Sequence, residues 1–529
     1  MPLFFRWSGE RGGCPNERTA GSSRGMSIAE LSERPARVLL IGSGYDARST
    51  EKQIEADLGL AQDVLRSRLA SNELWTLFAQ GPDRPSVRVM DGPSDFDERA
   101  LLGWLFGGDL LAGYRIIPPE IHVDLPAKRG TLEAALTADP EGRLPELIYF
   151  AGHGERRARI DQSFFTLSGG ERMTVAELAA LFDQAAGGPR LLVHSACYSG
   201  AFAEIIFRRG DASLGLSDSV RCGLFASSAD DPASGCSASA DQREYEGFAL
   251  HFFGALKGRK HDDSGALDAD LDGDGRISAL EAHAIARAHA ETIDIPTTSS
   301  ERLLRYFFDG RQGLRSDGNA SQNERQGESR HKVTTANAFG EGEAHDLGGE
   351  GLEAGAETSK ARPIGEGDPI ETFVIAELER ALRVSSKSEA ESALQKVEAS
   401  IHSLNEVLAE AKDELEREAS RLEARILELS PHLADAWDRR FEPALRRHRR
   451  ALRALFDSDA IEPIYQAFEL LELLEVEHEA KLIERARLSR LVRAHENLSL
   501  LRRLGELSAK QRAHYEAIRN CEAHPLFSL

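Results

Sequence analysis

The chain has 529 residues, 41% of them apolar and 29% charged, which is too long for one hydrophobic core and typical of two or three domains. Its net charge of −22 argues against binding to nucleic acid or to an anionic membrane, because the overall field repels phosphate. Its five widely spaced cysteines form neither a disulfide framework nor a zinc-ligand pattern, and no apolar run is long enough for a signal peptide or a membrane span. These features together favour a cytoplasmic protein.

Residues 1–34 are predicted to be a disordered leader, and residues 35–310 alternate short apolar runs with amphipathic stretches. This alternation is typical of an α/β domain with a mostly parallel sheet that helices cover on both faces. The predicted strands include 38–41, 74–79, 116–123, 147–151, 191–194 and 223–227, and the predicted helices include 49–69, 131–138, 174–185 and 245–257. In such sheets the functional site lies at the carboxyl ends of the strands.

Two of the predicted strands end in small residues and one reactive side chain. His153 follows the strand 147–151 between two glycines, and Cys197 follows the strand 191–194. A thiolate is a competent nucleophile, and a nearby imidazole generates it by accepting the proton. The backbone N–H groups of Gly154 and Cys197 are the expected donors to a developing oxyanion. Each side chain alone has an ordinary structural interpretation, but the pair predicts a catalytic dyad.

The motifs around this pair resemble those of a known family. Tyr149-Phe-Ala-Gly-His-Gly154 and Ser195-Ala-Cys-Tyr-Ser-Gly200 are similar to the His-Gly and Ala-Cys-x-Ser-Gly motifs of caspase-like (clan CD) cysteine peptidases, and most of all to the legumain-type and bacterial caspase-like group. The resemblance runs from about residue 37 to residue 256 and includes the segment 226–236. It implies a caspase-haemoglobinase fold and hydrolysis of peptide bonds in protein substrates through a thioester acyl-enzyme.

The turn after the first predicted strand carries Asp46 and Arg48. In legumain-type enzymes the equivalent turn carries a residue that orients the catalytic histidine, followed two positions later by an arginine of the substrate pocket. By this resemblance, Asp46 either accepts a hydrogen bond from His153 or lines the pocket for the substrate residue before the scissile bond, called P1.

The charged residues near the expected pocket leave the P1 preference open. Arg48 favours an acidic P1 side chain, whereas Asp46, Asp230 and Asp231 favour arginine or lysine. Ser195 stands where legumains and metacaspases usually carry an acidic residue, so the family preference does not transfer directly. Of the two alternatives, we predict basic P1.

Residues 270–281 fit the twelve-residue calcium loop of an EF-hand. A loop of this kind places oxygen ligands around Ca²⁺, and Gly275 supplies the sharp turn that the loop requires. The expected ligands are Asp270, Asp272, Asp274, the carbonyl of Arg276, Ser278 and the bidentate carboxylate of Glu281. The alternative is an Asp-rich loop that only caps the helix after it.

Residues 311–369 are rich in Gly, Ser, Glu and Ala, and we predict a flexible linker because they bury too little apolar surface to offset their ordering entropy. Residues 370–529 read as helix, with apolar residues spaced 3-4-3-4 from Leu394 to Leu415 and a stop at Pro431. This pattern predicts a coiled-coil or bundle domain. We expect the domain to dock on the peptidase or inhibit it.

The sequence therefore predicts a cysteine endopeptidase, made as a regulated zymogen, with a basic P1 preference. One alternative is a scaffold that keeps the caspase fold without catalysis. Another is a calcium-responsive interaction protein. Covalent labelling of Cys197 by a peptidyl electrophile distinguishes the enzyme from both alternatives.

Overall fold

The computed structural model describes residues 38–66, 69, 73–90, 98–106, 114–137, 146–184, 189–235, 246–260, 264–308, 367–435, 438–458 and 461–523. The predicted leader 1–34 and all but the last three residues of the predicted linker 311–369 lie outside these ranges. Among the helices in these ranges, none is long and apolar enough to cross a membrane.

Strands and helices alternate through the first part of the described chain, and helices alone follow the last strand. The strands are β1 (Val38–Ser43), β2 (Leu74–Phe78), β3 (Val87–Met90), β4 (Tyr114–Ile117), β5 (Leu147–Gly152), β6 (Gly154–Glu155), β7 (Phe164–Leu167), β8 (Glu171–Thr174), β9 (Arg190–Ser195), β10 (Arg221–Phe225) and β11 (Thr297–Thr298). The helices are α1 (Lys52–Arg66), α2 (Glu98–Phe106), α3 (Arg129–Thr137), α4 (Val175–Gln184), α5 (Phe248–Leu256), α6 (Ala279–His289), α7 (Ser299–Phe308), α8 (Pro369–Leu382), α9 (Lys387–Leu429), α10 (Phe441–Phe456), α11 (Glu462–Arg502) and α12 (Ala509–Glu522).

A six-stranded sheet holds β11, β10, β9, β5, β1 and β2 side by side in that order. All neighbours are parallel except β10 and β11, which are antiparallel. Side chains alternate between the two faces, so Leu40 and Tyr149 join one buried cluster while Ile41 and Phe150 join the other. Because both faces are covered, the strands read as continuous apolar runs. The predicted α/β class with a mostly parallel sheet flanked by helices is confirmed.

Two smaller sheets accompany the main one: β3 pairs with β4, and β6, β7 and β8 form a three-stranded sheet. The strand predicted over residues 116–123 is only partly correct, because β4 ends at Ile117. Pro118 and Pro119 follow at once, and proline has no N–H to donate to a neighbouring strand.

The C-terminal region is helical, as predicted, and its two longest helices form an antiparallel pair. Lys387 near the start of α9 lies 3.4 Å from Glu496 near the end of α11, while Lys412 lies 3.2 Å from Glu475. The contacts move forward along α9 while they move backward along α11, so the two helices run in opposite directions. Helix α9 ends at Leu429, and Pro431 follows one residue after the C-cap, where proline commonly stops a helix.

The C-terminal helices share a core with the sheet. One buried cluster combines apolar residues of the sheet with residues of α8, α9, α11 and α12. Buried charges cross the same boundary: the Arg287 guanidinium donates two hydrogen bonds of 2.8 Å to Glu371, and the Ser300 N–H donates to Glu522. Removing one partner of such a pair leaves an uncompensated buried charge. Helices α8, α9, α11 and α12 are therefore packed firmly against the α/β part.

A disulfide joins Cys222 in β10 to Cys521 in α12, across 299 positions of sequence. It was not expected, because sequence spacing carries no information on two cysteines that only tertiary packing brings together. Both residues are buried. Since disulfides are rare in reducing compartments, the cytoplasmic location stays a prediction.

Candidate functional site

His153 and Cys197 lie beyond the ends of two neighbouring parallel strands. β5 and β9 pair in a register that sets Ala151 opposite Ser195, and each reactive residue is two positions beyond that pair. The two residues therefore reach the same level of the carboxyl edge of the sheet, where parallel sheets carry their functional sites. Both residues are half-buried.

The ring of His153 is held by two acceptors that belong to the turn before α1. Its Nε2 lies 2.7 Å from the carbonyl oxygen of Ser49 and 3.1 Å from the carboxylate of Glu51, and its face stacks on Tyr45. A carbonyl oxygen only accepts hydrogen bonds, so Nε2 carries a hydrogen. In the neutral ring Nδ1 is then the nitrogen that accepts a proton.

Asp46 does not orient His153, which corrects one of the two roles expected for it. Its carboxylate instead accepts hydrogen bonds from the backbone N–H groups of Arg48 at 2.8 Å and Ser49 at 3.1 Å. An aspartate that binds backbone two residues ahead closes a tight turn of its own. This turn presents Ser49 to the imidazole, so Asp46 acts on His153 only through the backbone. Asp46 and Arg48 are both exposed, and their place in a substrate pocket stays a prediction.

Gly154 is pressed against the backbone of Cys197. A Cβ atom at this position would lie 2.1 Å from the Cys197 carbonyl oxygen and 3.2 Å from its carbonyl carbon. Real side chains do not tolerate the shorter distance, so only glycine fits here. The predicted oxyanion donors, the N–H groups of Gly154 and Cys197, thus belong to two backbone segments in direct contact.

The residues after Cys197 fix the nucleophile's backbone. Tyr198 has a φ of 59°, which is uncommon for a residue with a side chain and is a form of strain that clusters at functional sites. Ser199 and Ser227 bind reciprocally, each backbone N–H donating to the other's hydroxyl at 3.1 Å. A Cβ at Gly200 would lie 2.7 Å from the Ala229 nitrogen. The small residues of the Ala-Cys-Tyr-Ser-Gly motif are therefore required by the packing around the cysteine.

The segment 228–234, which we call the nucleophile loop, lies against Cys197. The Ala233 N–H is directed at the Cys197 sulfur with an N···S distance of 3.3 Å. The Tyr198 N–H donates to the Asp231 carbonyl at 3.0 Å. The sulfur also lies 3.6 Å from the Ala233 carbonyl oxygen, which accepts a hydrogen bond from the thiol, but the shorter contact is with the N–H donor, which favours the thiolate form.

The acidic residues of the nucleophile loop already hold arginines. Asp230 lies 2.9 Å from Arg156, and Asp231 lies 2.7 Å from Arg485 of α11. Their carboxylates are therefore engaged by the protein itself, which removes the simplest basis for the expected attraction of a basic P1 side chain.

A second acidic pair, Asp57 and Asp294, was missed by the sequence analysis. Partial burial and the charge of Asp294 raise the pKa of Asp57 to about 8, and Asp57 makes no hydrogen bond with any described residue. Its charge also acts on Tyr149, whose hydroxyl lies 2.9 Å from the Ser195 hydroxyl. Asp294 in turn accepts hydrogen bonds from the backbone N–H and the hydroxyl of Ser234.

No local signal identified Glu51, Asp57 or Asp294 as site residues. Glu51 and Asp57 look like ordinary residues of an amphipathic helix and its start, and Asp294 lies almost 100 residues beyond Cys197. Tertiary packing brings Glu51 to His153 and Asp294 to the loop beside Cys197. The one feature that could have suggested a partner for His153 was the position of Glu51, which is a carboxylate in the same turn as Asp46.

Three of the predicted ligands in the segment 270–281 lie close together in a turn that their own carboxylates hold through backbone hydrogen bonds. Asp270 accepts hydrogen bonds from three backbone N–H groups at positions 273–275, while Asp272 and Asp274 each accept one from two residues ahead. Carboxylate oxygens of all three aspartates lie within 4.8 Å of one another. Gly275 has a φ of 84°, which supplies the expected sharp turn. Three hard oxygen donors at this spacing fit Ca²⁺.

The other predicted ligands lie on the same loop, with one difference in detail. Arg276 is exposed and Ser278 is the N-cap of α6. The Glu281 carboxylate accepts hydrogen bonds from the N–H groups of Leu271 at 2.7 Å and Ser278 at 2.7 Å. Glu281 therefore belongs to a capping box and ties the loop to the helix, as in the alternative interpretation, while a carboxylate still has lone pairs for a cation.

No protein-family model matches this chain, and no curated protein matches its sequence. The resemblance of the motifs around His153 and Cys197 to caspase-like peptidases thus stays a prediction.

Proposed function

We propose that this protein is a cysteine endopeptidase of the caspase-like clan, with Cys197 as nucleophile and His153 as general base. The observation that carries the proposal is that the two residues follow neighbouring parallel strands at the same register. Nε2 of His153 is also bound to Ser49 and Glu51. An imidazole whose Nε2 is held in this way can accept a proton at Nδ1, and nucleophilic catalysis requires such a base close to the thiol. We infer that the substrate is a peptide bond from the resemblance of the motifs to those of caspase-like peptidases.

In the first step, Nδ1 of His153 accepts the thiol proton and the Cys197 sulfur attacks the carbonyl carbon of the scissile bond. The developing oxyanion is stabilised by the N–H groups of Gly154 and Cys197. Glu51 stabilises the imidazolium through Nε2. The C–N bond then breaks, the leaving amine takes the proton from the imidazolium, and a thioester remains on Cys197.

In the second step, water attacks the thioester while His153 accepts its proton. The C–S bond breaks, the carboxylic acid product leaves, and the proton returns to the sulfur or to solvent. The neutral imidazole is thereby restored for the next cycle.

We propose basic P1 specificity, with Asp57 rather than Asp230 or Asp231 as the attracting charge. Asp230 and Asp231 are paired with arginines, whereas Asp57 makes no hydrogen bond with any described residue and acts through its charge on Tyr149, whose hydroxyl contacts Ser195. A guanidinium or ammonium group brought to this carboxylate would gain an ion pair and would offset the repulsion between Asp57 and Asp294.

Covalent labelling tests both parts of this proposal. We expect a peptidyl chloromethyl ketone with arginine at P1 to label wild-type protein at Cys197, and we expect no labelling of Cys197→Ala and much slower labelling of His153→Ala. Intact mass and peptide mapping by mass spectrometry locate the adduct. Absence of labelling at every pH, with and without calcium, would favour a non-catalytic scaffold.

The pH dependence of labelling by the same kind of probe tests the role of Asp57. The raised pKa of about 8 keeps Asp57 mostly neutral at pH 6 and ionised at pH 9. The labelling rate of a P1-arginine probe divided by that of a P1-aspartate probe should therefore rise about tenfold over this range, because thiolate formation cancels in the ratio. Asp57→Asn should abolish the rise of this ratio with pH. Asp63→Asn should keep it, because Asp63 is an exposed residue of the same helix.

We also propose that the loop 270–281 binds Ca²⁺ through Asp270, Asp272 and Asp274, joined by the Arg276 carbonyl, Ser278 and Glu281. Neighbouring carboxylates at this spacing repel one another, and partial burial together with Asp274 and Asp270 raises the pKa of Asp272. A divalent cation would relieve this repulsion and hold the start of α6.

Calcium is expected to raise the thermal midpoint of metal-stripped protein by several degrees, since saturation at about 100 times the Kd stabilises a folded protein by about 2.7 kcal/mol. Differential scanning fluorimetry with CaCl2 and MgCl2 measures the shift. Asp272→Asn should abolish it, and Asp268→Asn, which lies outside the cluster, should keep it. A shift of equal size in both variants would point to binding elsewhere.

A further inference from the structure

Two arginines connect helix α11 of the C-terminal region to the nucleophile loop, one directly and one through Asp294. Arg485 donates to the Asp231 carboxylate at 2.7 Å, and Asp231 in turn accepts the Ser228 hydroxyl at 2.6 Å. The carbonyl of the same aspartate receives the Tyr198 N–H, one residue from Cys197. One ion pair thus connects α11 to the backbone of the nucleophile.

The second connection starts at Arg490, one of the largest fully buried side chains among the described residues. Its guanidinium donates to the carbonyl oxygens of Ala290 at 2.6 Å, Thr292 at 2.7 Å and Asp294 at 2.6 Å. The segment that ends at Asp294 is therefore fixed to α11. Burial lowers the pKa of Arg490 to about 10, so its charge is kept at neutral pH.

Asp294 passes this constraint to the end of the nucleophile loop. Its carboxylate accepts both the backbone N–H and the hydroxyl of Ser234. The next residue back, Ala233, is the one whose N–H is directed at the Cys197 sulfur. A shift of Ser234 would therefore move the donor away from the sulfur.

We infer that Arg485 and Arg490 are positioning residues for the nucleophile, so that α11 is a working part of the active site and not a separable inhibitory or docking module. The identity of the reaction rests on the proposed function. The protonation state of the Cys197 thiol does not, and it can be measured independently. Arg485 holds the middle of the nucleophile loop at Asp231, and Arg490 holds its end at Ser234 through Asp294. The loop in turn holds the Ala233 N–H against Cys197 and thereby favours the thiolate.

Alkylation of Cys197 tests this inference without any substrate. We expect Arg485→Ala to slow alkylation by iodoacetamide at pH 7 by about fivefold, the equivalent of one lost hydrogen bond, and to move the pH midpoint of the rate upward. Full-length protein is used, and the Cys197 peptide is quantified by mass spectrometry. Arg485→Lys keeps the charge and should recover part of the rate.

Lys481→Ala is the matched control, because Lys481 is four residues away on α11 and pairs with Glu484 of the same helix instead of the nucleophile loop or the segment 290–294. It should alkylate at the wild-type rate. Ser234→Ala removes a single hydroxyl at the end of the loop and should also slow alkylation, so the test stands even if Arg485→Ala does not fold.

An unchanged pH profile in Arg485→Ala and Ser234→Ala would overturn the inference. Faster alkylation in Arg485→Ala would overturn it too, because α11 would then be covering the thiol. If the profile shifts as expected but no peptide probe labels Cys197, the positioning role holds and the proposed peptidase function fails.

Discussion

Replacing Gly154 with alanine is expected to lower kcat/KM by a factor of about 10²–10³, with folding largely kept. The added Cβ would lie 2.1 Å from the Cys197 carbonyl oxygen, and the neighbouring atom is backbone, which cannot rotate away. β6 and the nucleophile must therefore separate. A misplacement of about 1 Å costs about 10²-fold in rate, and loss of one oxyanion donor costs about 10²–10³.

Hydrolysis of a fluorogenic peptide with arginine at P1 measures this loss. Gly130→Ala is the matched control, because nothing lies within 4 Å of a Cβ at that position in the first turn of α3. If both variants retain wild-type kcat/KM, then the contact between Gly154 and Cys197 does not set the geometry of the reaction. Near-equal circular dichroism spectra exclude unfolding as the cause.

Removing the Cys222–Cys521 disulfide is expected to lower the free energy of unfolding by about 3–5 kcal/mol. The bond closes a loop of 299 positions, and closing long loops removes the most entropy from the unfolded chain. It also joins strand β10 of the main sheet to the last described helix, whose Glu522 receives the Ser300 N–H. Loss of the bond should therefore loosen α12 before the sheet.

The denaturant midpoint of Cys521→Ser, compared with wild type in the presence and absence of reductant, measures this effect. Reductant should lower the wild-type midpoint to that of Cys521→Ser and should leave the variant unchanged. Cys197→Ser serves as the control, because that thiol takes no part in the bond. A wild-type midpoint that does not respond to reductant would contradict the prediction.

The sheet and most helices were predictable because their signals are local. Buried parallel strands read as short apolar runs, and 38–41, 147–151 and 191–194 all lie inside observed strands. The two reactive residues were found because each directly follows such a strand. The error over 116–123 arose where apolar residues continue past Pro118 and Pro119 without strand pairing.

The surroundings of the dyad were less predictable, because they depend on packing between distant segments. Asp46 stood at the position suggested by resemblance, but its own turn uses its carboxylate and Glu51 binds His153 instead. Asp294 and Arg485 lie far along the chain from Cys197, and periodicity says only that such residues are on helices or loops. The pattern behind the predicted calcium loop is contained in twelve residues, so it could be read from the sequence, and its binding of calcium stays a prediction.

The bond between Cys222 and Cys521 also has a topological consequence. It turns residues 222–521 into a closed ring, and the segment predicted as a linker, 311–369, is part of that ring. A single cut in this segment opens the ring but frees no fragment. Processed protein should therefore migrate as one species on a non-reducing gel and as two under reduction, and the C-terminal helices should stay covalently attached to the sheet after cleavage.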